Sequence, residues 1–344
     1  MNRRATAIAL VIAALIELRL SPFATAHDNR TESPDRTKTA STPQLDSYRK
    51  FAGKRARSIW ADNGLEMKFV WCLPGTFKMG PIQRVDGKLV NENHELEDLA
   101  RRLHEADRKA ANPDPRPVAL EKDDRSDSGT VVVSAAKRET EVFLFHGFWL
   151  GQYEVSRREW KQVMGTEPWD GRRIVLSGDD YPATHISWDG AMEFCRVLTD
   201  RERETDRLPQ GWEYTLPTEA QWERACRAAT TTRYSFGDSA ARMREYAWFA
   251  EKDEPYPHRV GQKKPNAWGL HDMHGNVMEW CRDFYADTLP GGRDPEITVG
   301  AYRVQRGGHF GTQDSSCSSG ARFREPAELK KLEFGFRVAL RHVE

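Results

Sequence analysis

The sequence predicts an α+β fold with little regular secondary structure for its size. Three observations lead there. Apolar stretches of strand length open the part of the chain that can fold and recur after residue 138. Three short segments of helical period each begin with a capping residue, and the Gly- and Trp-rich stretches between them follow neither period.

Taken in order, ordered structure is expected from Leu65, in "LEMKFVWCLPGTFKMG". A strand-like run ends at Pro74-Gly75, Phe77 and Met79 share one face of a second strand, and the two read as a hairpin. Pro81 to Lys137 is highly charged and holds one convincing element, "NHELEDLARRLHEADRKAA". There Leu96, Leu99 and Leu103 form one helical stripe, acids fill the first turn, and Arg108 and Lys109 fill the last, as the helix dipole prefers. This amphipathic helix reads as a solvated decoration resting on three leucines; a partner-docking helix is the sharper alternative.

"TEVFLFHGFWLGQYEVSRREWKQVMG" alternates as a strand and then enters Ser156-x-x-Glu159, a capping box opening a helix with Trp160, Val163 and Met164. In "HISWDGAMEFCRVLTDRERE" Ser187 caps a second helix, with Trp188, Ala191, Cys195 and Leu198 on one face. In "LPTEAQWERACRAAT" Thr218-x-x-Gln221 is again a capping box, and Trp222, Ala225 and Cys226 turn inward.

The 52 basic and 52 acidic side chains cancel, so no field gathers nucleic acid or an anionic membrane. Arg3 and Arg4, an apolar run from Ala5 to Ile16 and Ala24-Thr25-Ala26 read as a secretory signal peptide over 1–26. A membrane span needs about 18 apolar residues, and Glu17 and Arg19 end this run sooner. The expected product is exported, periplasmic or extracellular, with no stable membrane insertion. Residues 27–57 are polar and read as a disordered linker, followed by one domain over 58–342 with the charged insertion at about 82–138. Five cysteines, with no C-x-x-C pair or zinc spacing, leave at least one thiol free or bonded between molecules.

No G-x-S-x-G elbow, P-loop, G-x-G-x-x-G or H-E-x-x-H occurs. "HELED" at His94 lacks the second metal-binding histidine, and His271 and His274 need a third ligand from elsewhere to hold a metal. Satisfied structural histidines are the expectation for both.

The blocks "LEMKFVWCLPGTFKMG", "FWLGQYEVSRREWKQVMG", "YPATHISWDGAMEFC", "LPTEAQWERACRAATTTRYSFGD", "NAWGLHDMHGNVMEWCRDFY" and "RVQRGGHF…SGARFR…FGFRVAL" occur in the order of the sulfatase-modifying factor family, best known for formylglycine-generating enzymes. The chain resembles that family from about Leu65 to Leu340. The resemblance implies a domain related to the C-type lectin fold, often with bound calcium. It makes G-N-V-x-E-W a scaffold signature and Asn276 and Glu279 side-chain calcium ligands; the residues themselves read equally well as caps of a turn.

Formylglycine-generating enzymes resemble one another in holding Cu(I) between two thiolates just after R-G-G-S. Here the stretch is "RGGHFGTQDSSCSSGARFR". Without gaps, His309 stands at the Ser, Thr312 at the first active cysteine and Cys317 at the second. A neutral hydroxyl cannot replace a thiolate on soft Cu(I), so copper is not expected. A gapped alignment on Arg322 instead makes Cys317 a disulfide cysteine, paired with Cys226. The expected function is thus an exported binding or accessory module without formylglycine-generating activity, its ligand a protein, peptide or small molecule. The alternative is an oxidoreductase of this superfamily acting on a peptide-derived substrate, with His309 as its acid, base or ligand.

Overall fold

The computed structural model describes residues 48–80, 139–172, 177–250 and 256–343, with the backbone of three short strands at 84–85, 88–89 and 132–133. The signal peptide, most of the linker and the Leu96 helix lie outside the described residues.

Strands β1 (Ile59–Trp60), β2 (Phe69–Cys72), β3 (Gly75–Met79), β4 (Arg84–Val85), β5 (Lys88–Leu89), β6 (Val132–Val133), β7 (Thr140–Leu144) and β8 (Phe148–Gly151) precede the helices α1 (Arg157–Met164) and α2 (Trp188–Glu204). Then come β9 (Trp212–Thr215), α3 (Glu219–Arg227), the single turn α4 (Met243–Tyr246), β10 (Met278–Phe284), β11 (Gly292–Arg293), β12 (Arg303–Arg306), β13 (Arg322–Glu325), β14 (Phe334–Gly335) and β15 (Ala339–His342). The mixture of short helices and strands joined by long irregular loops is the expected α+β class.

The helix starts follow the capping chemistry read from sequence. Ser156 Oγ accepts the Glu159 N–H while the Glu159 carboxylate accepts the Ser156 N–H, and Thr218 and Gln221 repeat the exchange on α3. Ser187 Oγ accepts the Gly190 N–H at the start of α2. Gly165 ends α1 at φ 65°, where a side chain would be strained.

The expected hairpin of β2 and β3 does not form. β2 lies in a five-stranded sheet ordered β1-β2-β8-β15-β9, whereas β3 lies in a second layer ordered β11-β7-β3. The chain crosses between these sheets twice, from β2 to β3 and from β7 to β8. Burial explains it. β2 and β8 are buried at every position, as strands covered on both faces must be, while β3 and β7 alternate. One face of the first sheet packs Phe69, Trp71, Trp149 and Tyr214 against Trp160 and Phe194 of α1 and α2; the other packs Val70, Leu150 and Ala339 against Trp222 and Cys226 of α3.

Order also begins earlier than Leu65. A helical turn over 48–51 sets Tyr48 against Trp212, with stacked rings 5.8 Å apart, and Phe51 O accepts the Trp149 Nε1–H. The linker assignment for 27–57 therefore fails at its C-terminal end. A third sheet, β14-β10-β12-β13-β6, carries the loop that follows Arg306, and β6, from within the insertion, forms its outer strand by pairing Val132 with Phe323. The insertion thus contributes to a sheet rather than only resting on the surface.

Candidate functional site

β12 ends at Arg306, a fully buried guanidinium fixed by Glu219 at 2.8 Å, Glu223 at 2.6 Å and the Ser319 carbonyl at 2.9 Å. Gly307 and Gly308 follow with φ 95° and 70°, and their freedom lets the loop fold back on itself. A Cβ on Gly308 would stand 2.8 Å from both Cys317 Sγ and Thr312 Oγ1, so glycine is needed there. The loop is zipped to the G-N-V segment: Gly275 N–H donates to Gly307 O at 2.8 Å and Phe310 N–H to Asn276 O at 2.9 Å.

The three residues singled out in this loop come together. Thr312 Oγ1 accepts the His309 N–H at 2.9 Å, lies 2.9 Å from His309 O, and is 3.3 Å from Cys317 Sγ. Cys317 is buried completely, and burial pushes its thiol up to about 12, against the smaller downward pull of the Thr312 hydroxyl. It is a neutral thiol at physiological pH. His309 is half-buried; desolvation, with Lys331 nearby, lowers it to about 4, so its imidazole is neutral. His309 Nδ1 accepts the Gly311 N–H at 3.1 Å, which puts the ring proton on Nε2.

The expected Cys226–Cys317 bridge is absent, and both cysteines are free thiols with their own partners. Cys226 Sγ donates to Met273 O at 3.6 Å and lies 3.9 Å from both nitrogens of the His274 ring. That ring donates from Nδ1 to Cys317 O at 2.8 Å and accepts the Ser235 N–H at Nε2. His274 is therefore a satisfied structural histidine, and His271, bonded through Nδ1 to Lys263 O, belongs to another network. The residues do not fit Cu(I): the loop offers one protonated thiol and a hydroxyl where two thiolates are wanted.

The side chains of Asn276 and Glu279, which the resemblance makes calcium ligands, are engaged by protein groups. Both Glu279 oxygens are taken by Arg337, each at 2.6 Å, and Trp222 Nε1–H donates to one of them at 2.7 Å. Asn276, at φ 61°, accepts the His258 N–H and donates to Glu154 at 2.5 Å, as a turn residue does. Among the described residues no three His, Cys, Asp or Glu side chains converge on a metal position.

Sequence reasoning missed two carboxylates beside this turn. Glu154 is pushed well up, first by burial and then by Asp272 and Glu279. Asp272, buried at φ 57°, bonds Gly261 N–H through Oδ2 at 2.6 Å, leaves Oδ1 without a partner, and is raised by burial to about 6. The charge of Asp272 within "GLHDMHGN" was visible; its burial was not.

The family model of the sulfatase-modifying factor enzyme 1-like domain matches residues 109–342. The formylglycine-generating enzyme of Streptomyces coelicolor is 30% identical over 203 residues, 52% of this chain and 60% of its own length. The chaperone protein LppX of Paenibacillus barcinonensis is 25% identical over 205 residues, 47% of this chain and 68% of its own. In structure, PvdO from Pseudomonas aeruginosa superimposes with a TM-score of 0.60 at 19% identity, covering 84% of this chain and all of PvdO, which is a likeness of fold.

Proposed function

The chain belongs to the sulfatase-modifying factor family, and from that premise we propose that it is an exported member without formylglycine-generating activity, acting as a binding or accessory module. One observation carries this reading: the group 3.3 Å from Cys317 Sγ in this loop is the Thr312 hydroxyl, and the Cys317 thiol is buried and protonated. Family membership does not by itself confer activity, because activity lives in the site. A relative named as a chaperone protein supports an accessory role. The basic n-region, apolar run and Ala24-Thr25-Ala26 support export.

What the loop offers a ligand is the His309 imidazole, half-buried and neutral, with its Nε2–H able to donate. The same group supports the second reading, an oxidoreductase acting on a peptide-derived substrate with His309 as acid or base.

The test is to incubate the reduced protein with Cu(I), dioxygen and a Cys-x-Pro-x-Arg peptide and to look for aldehyde by mass spectrometry. No aldehyde is expected. Catalytic aldehyde formation that disappears in Cys317→Ser would overturn the proposal.

A further inference from the structure

Among the described residues, an acid or its amide stands directly before glycine at Asn63–Gly64, Asp170–Gly171 and Asp189–Gly190. Such pairs are chemically weak. A glycine nitrogen carries no side chain to hinder its approach to the preceding carboxyl or carboxamide carbon, and attack there closes a five-membered ring. Whether the ring closes depends on what the fold does with that nitrogen.

Two of the pairs are locked. Gly64 N–H donates to both oxygens of Glu202, at 3.2 and 3.1 Å. The Asn63 side chain is buried, with Nδ2–H donating to Met67 O at 2.7 Å and Oδ1 accepting the Leu65 and Met67 N–H groups. Attack would break every one of these bonds. Gly190 stands in the first turn of α2, where its N–H donates to the cap Ser187 Oγ at 3.2 Å and the helix fixes the torsions that ring closure would have to change.

Asp170–Gly171 is poised instead. Both residues are exposed, and Gly171 N–H points at Asp170 Oδ1, 2.9 Å away. The carboxyl carbon is one bond beyond that oxygen, so the two atoms that would join are already neighbours. Gly171 sits at φ 67°, and no atom lies within 4 Å of where a Cβ would be, so nothing obstructs a tighter turn. The chain just before is anchored: Trp169 is buried and Asp170 N–H donates to Glu167 O at 2.9 Å, which holds the pair in this approach.

We propose that Asp170 is a site of spontaneous backbone rearrangement to isoaspartate. The Gly171 nitrogen forms a bond to the Asp170 carboxyl carbon, and the carboxyl hydroxyl leaves with the amide proton as one water. Water then opens the cyclic imide at either carbonyl. Cleavage of the new bond restores aspartate; cleavage of the original peptide bond leaves the main chain running through the side chain, one methylene longer. Water is the only co-reactant.

The experiment is to incubate the full chain for weeks in neutral buffer made with heavy-oxygen water, then to map its peptides by mass spectrometry with fragmentation that separates aspartate from isoaspartate. Each ring opening leaves one heavy oxygen behind. Label and isoaspartate are expected to accumulate in the peptide carrying Asp170 and not in that carrying Asp189, while Asn63 stays an amide. Asp170→Asn, whose amide can leave as ammonia, should turn to acid faster than Asn63 in the same folded molecule. In urea Asn63 should convert as well, because unfolding releases the Gly64 nitrogen from Glu202. Absence of isoaspartate at position 170, a rate there no higher than at Asp189, or an Asp170→Asn chain that loses its new amide no faster than Asn63 would overturn the proposal.

Discussion

Asp272 holds its second oxygen away from any partner in the interior, and that has a measurable cost. Its folded proton affinity is raised to about 6 from an ordinary 3.8, so the folded state keeps a proton that the unfolded state releases. The resulting penalty is absent below about pH 4, grows as pH rises toward 6 and is complete above that. Asp272→Asn should therefore raise stability at pH 7.5, by up to about 3 kcal/mol, and change little at pH 4; thermal melts at both values read it. A loss of stability at pH 7.5 that a chelator reproduces in the wild type would mean instead that this carboxylate holds a cation. The closeness of His309, Thr312 and Cys317 was legible, because all three fall within nine residues that directly follow two glycines, where the chain can turn tightly. Asn276 meeting Glu154, 122 positions away, was not, because no local period encodes a distant partner.

At the scale of elements, the capped helices were the most legible part, since an N-cap hydroxyl and an acid or amide three residues later satisfy each other through local bonds alone. Thr218→Ala removes such a cap from α3, whose Glu219, Glu223 and Arg227 anchor the buried ion network behind the loop. It should cost about 1 kcal/mol, seen as a lower urea midpoint with an unchanged slope. An unchanged midpoint would mean that tertiary packing alone holds the helix start. The strands were legible as strands but not as partners. Alternation gives a face, whereas the corner at Gly75 that sends β3 into another sheet depends on what covers β2.

For the whole molecule, family and fold were readable from the order of the blocks, while the sheet order was not. That order places β15, the last strand of the described residues, between β8 and β9, where Ala339 and Leu340 pair with both neighbours. Removing residues 336–344 should therefore abolish the cooperative melt rather than lower its midpoint, with circular dichroism and calorimetry as the measures; a truncated chain that still melts cooperatively would contradict this. The same placement governs the order of events in time. A chain emerging from a ribosome or a translocation pore has its first strands ready long before the strand that must join them, and joining them closes a loop nearly as long as the domain. Until β15 is free, β8 and β9 present open edges to anything nearby. Birth of the native state is thus tied to delivery of β15, and a chain stalled or cut before that strand is a candidate for chaperone capture or aggregation rather than a smaller version of the same protein.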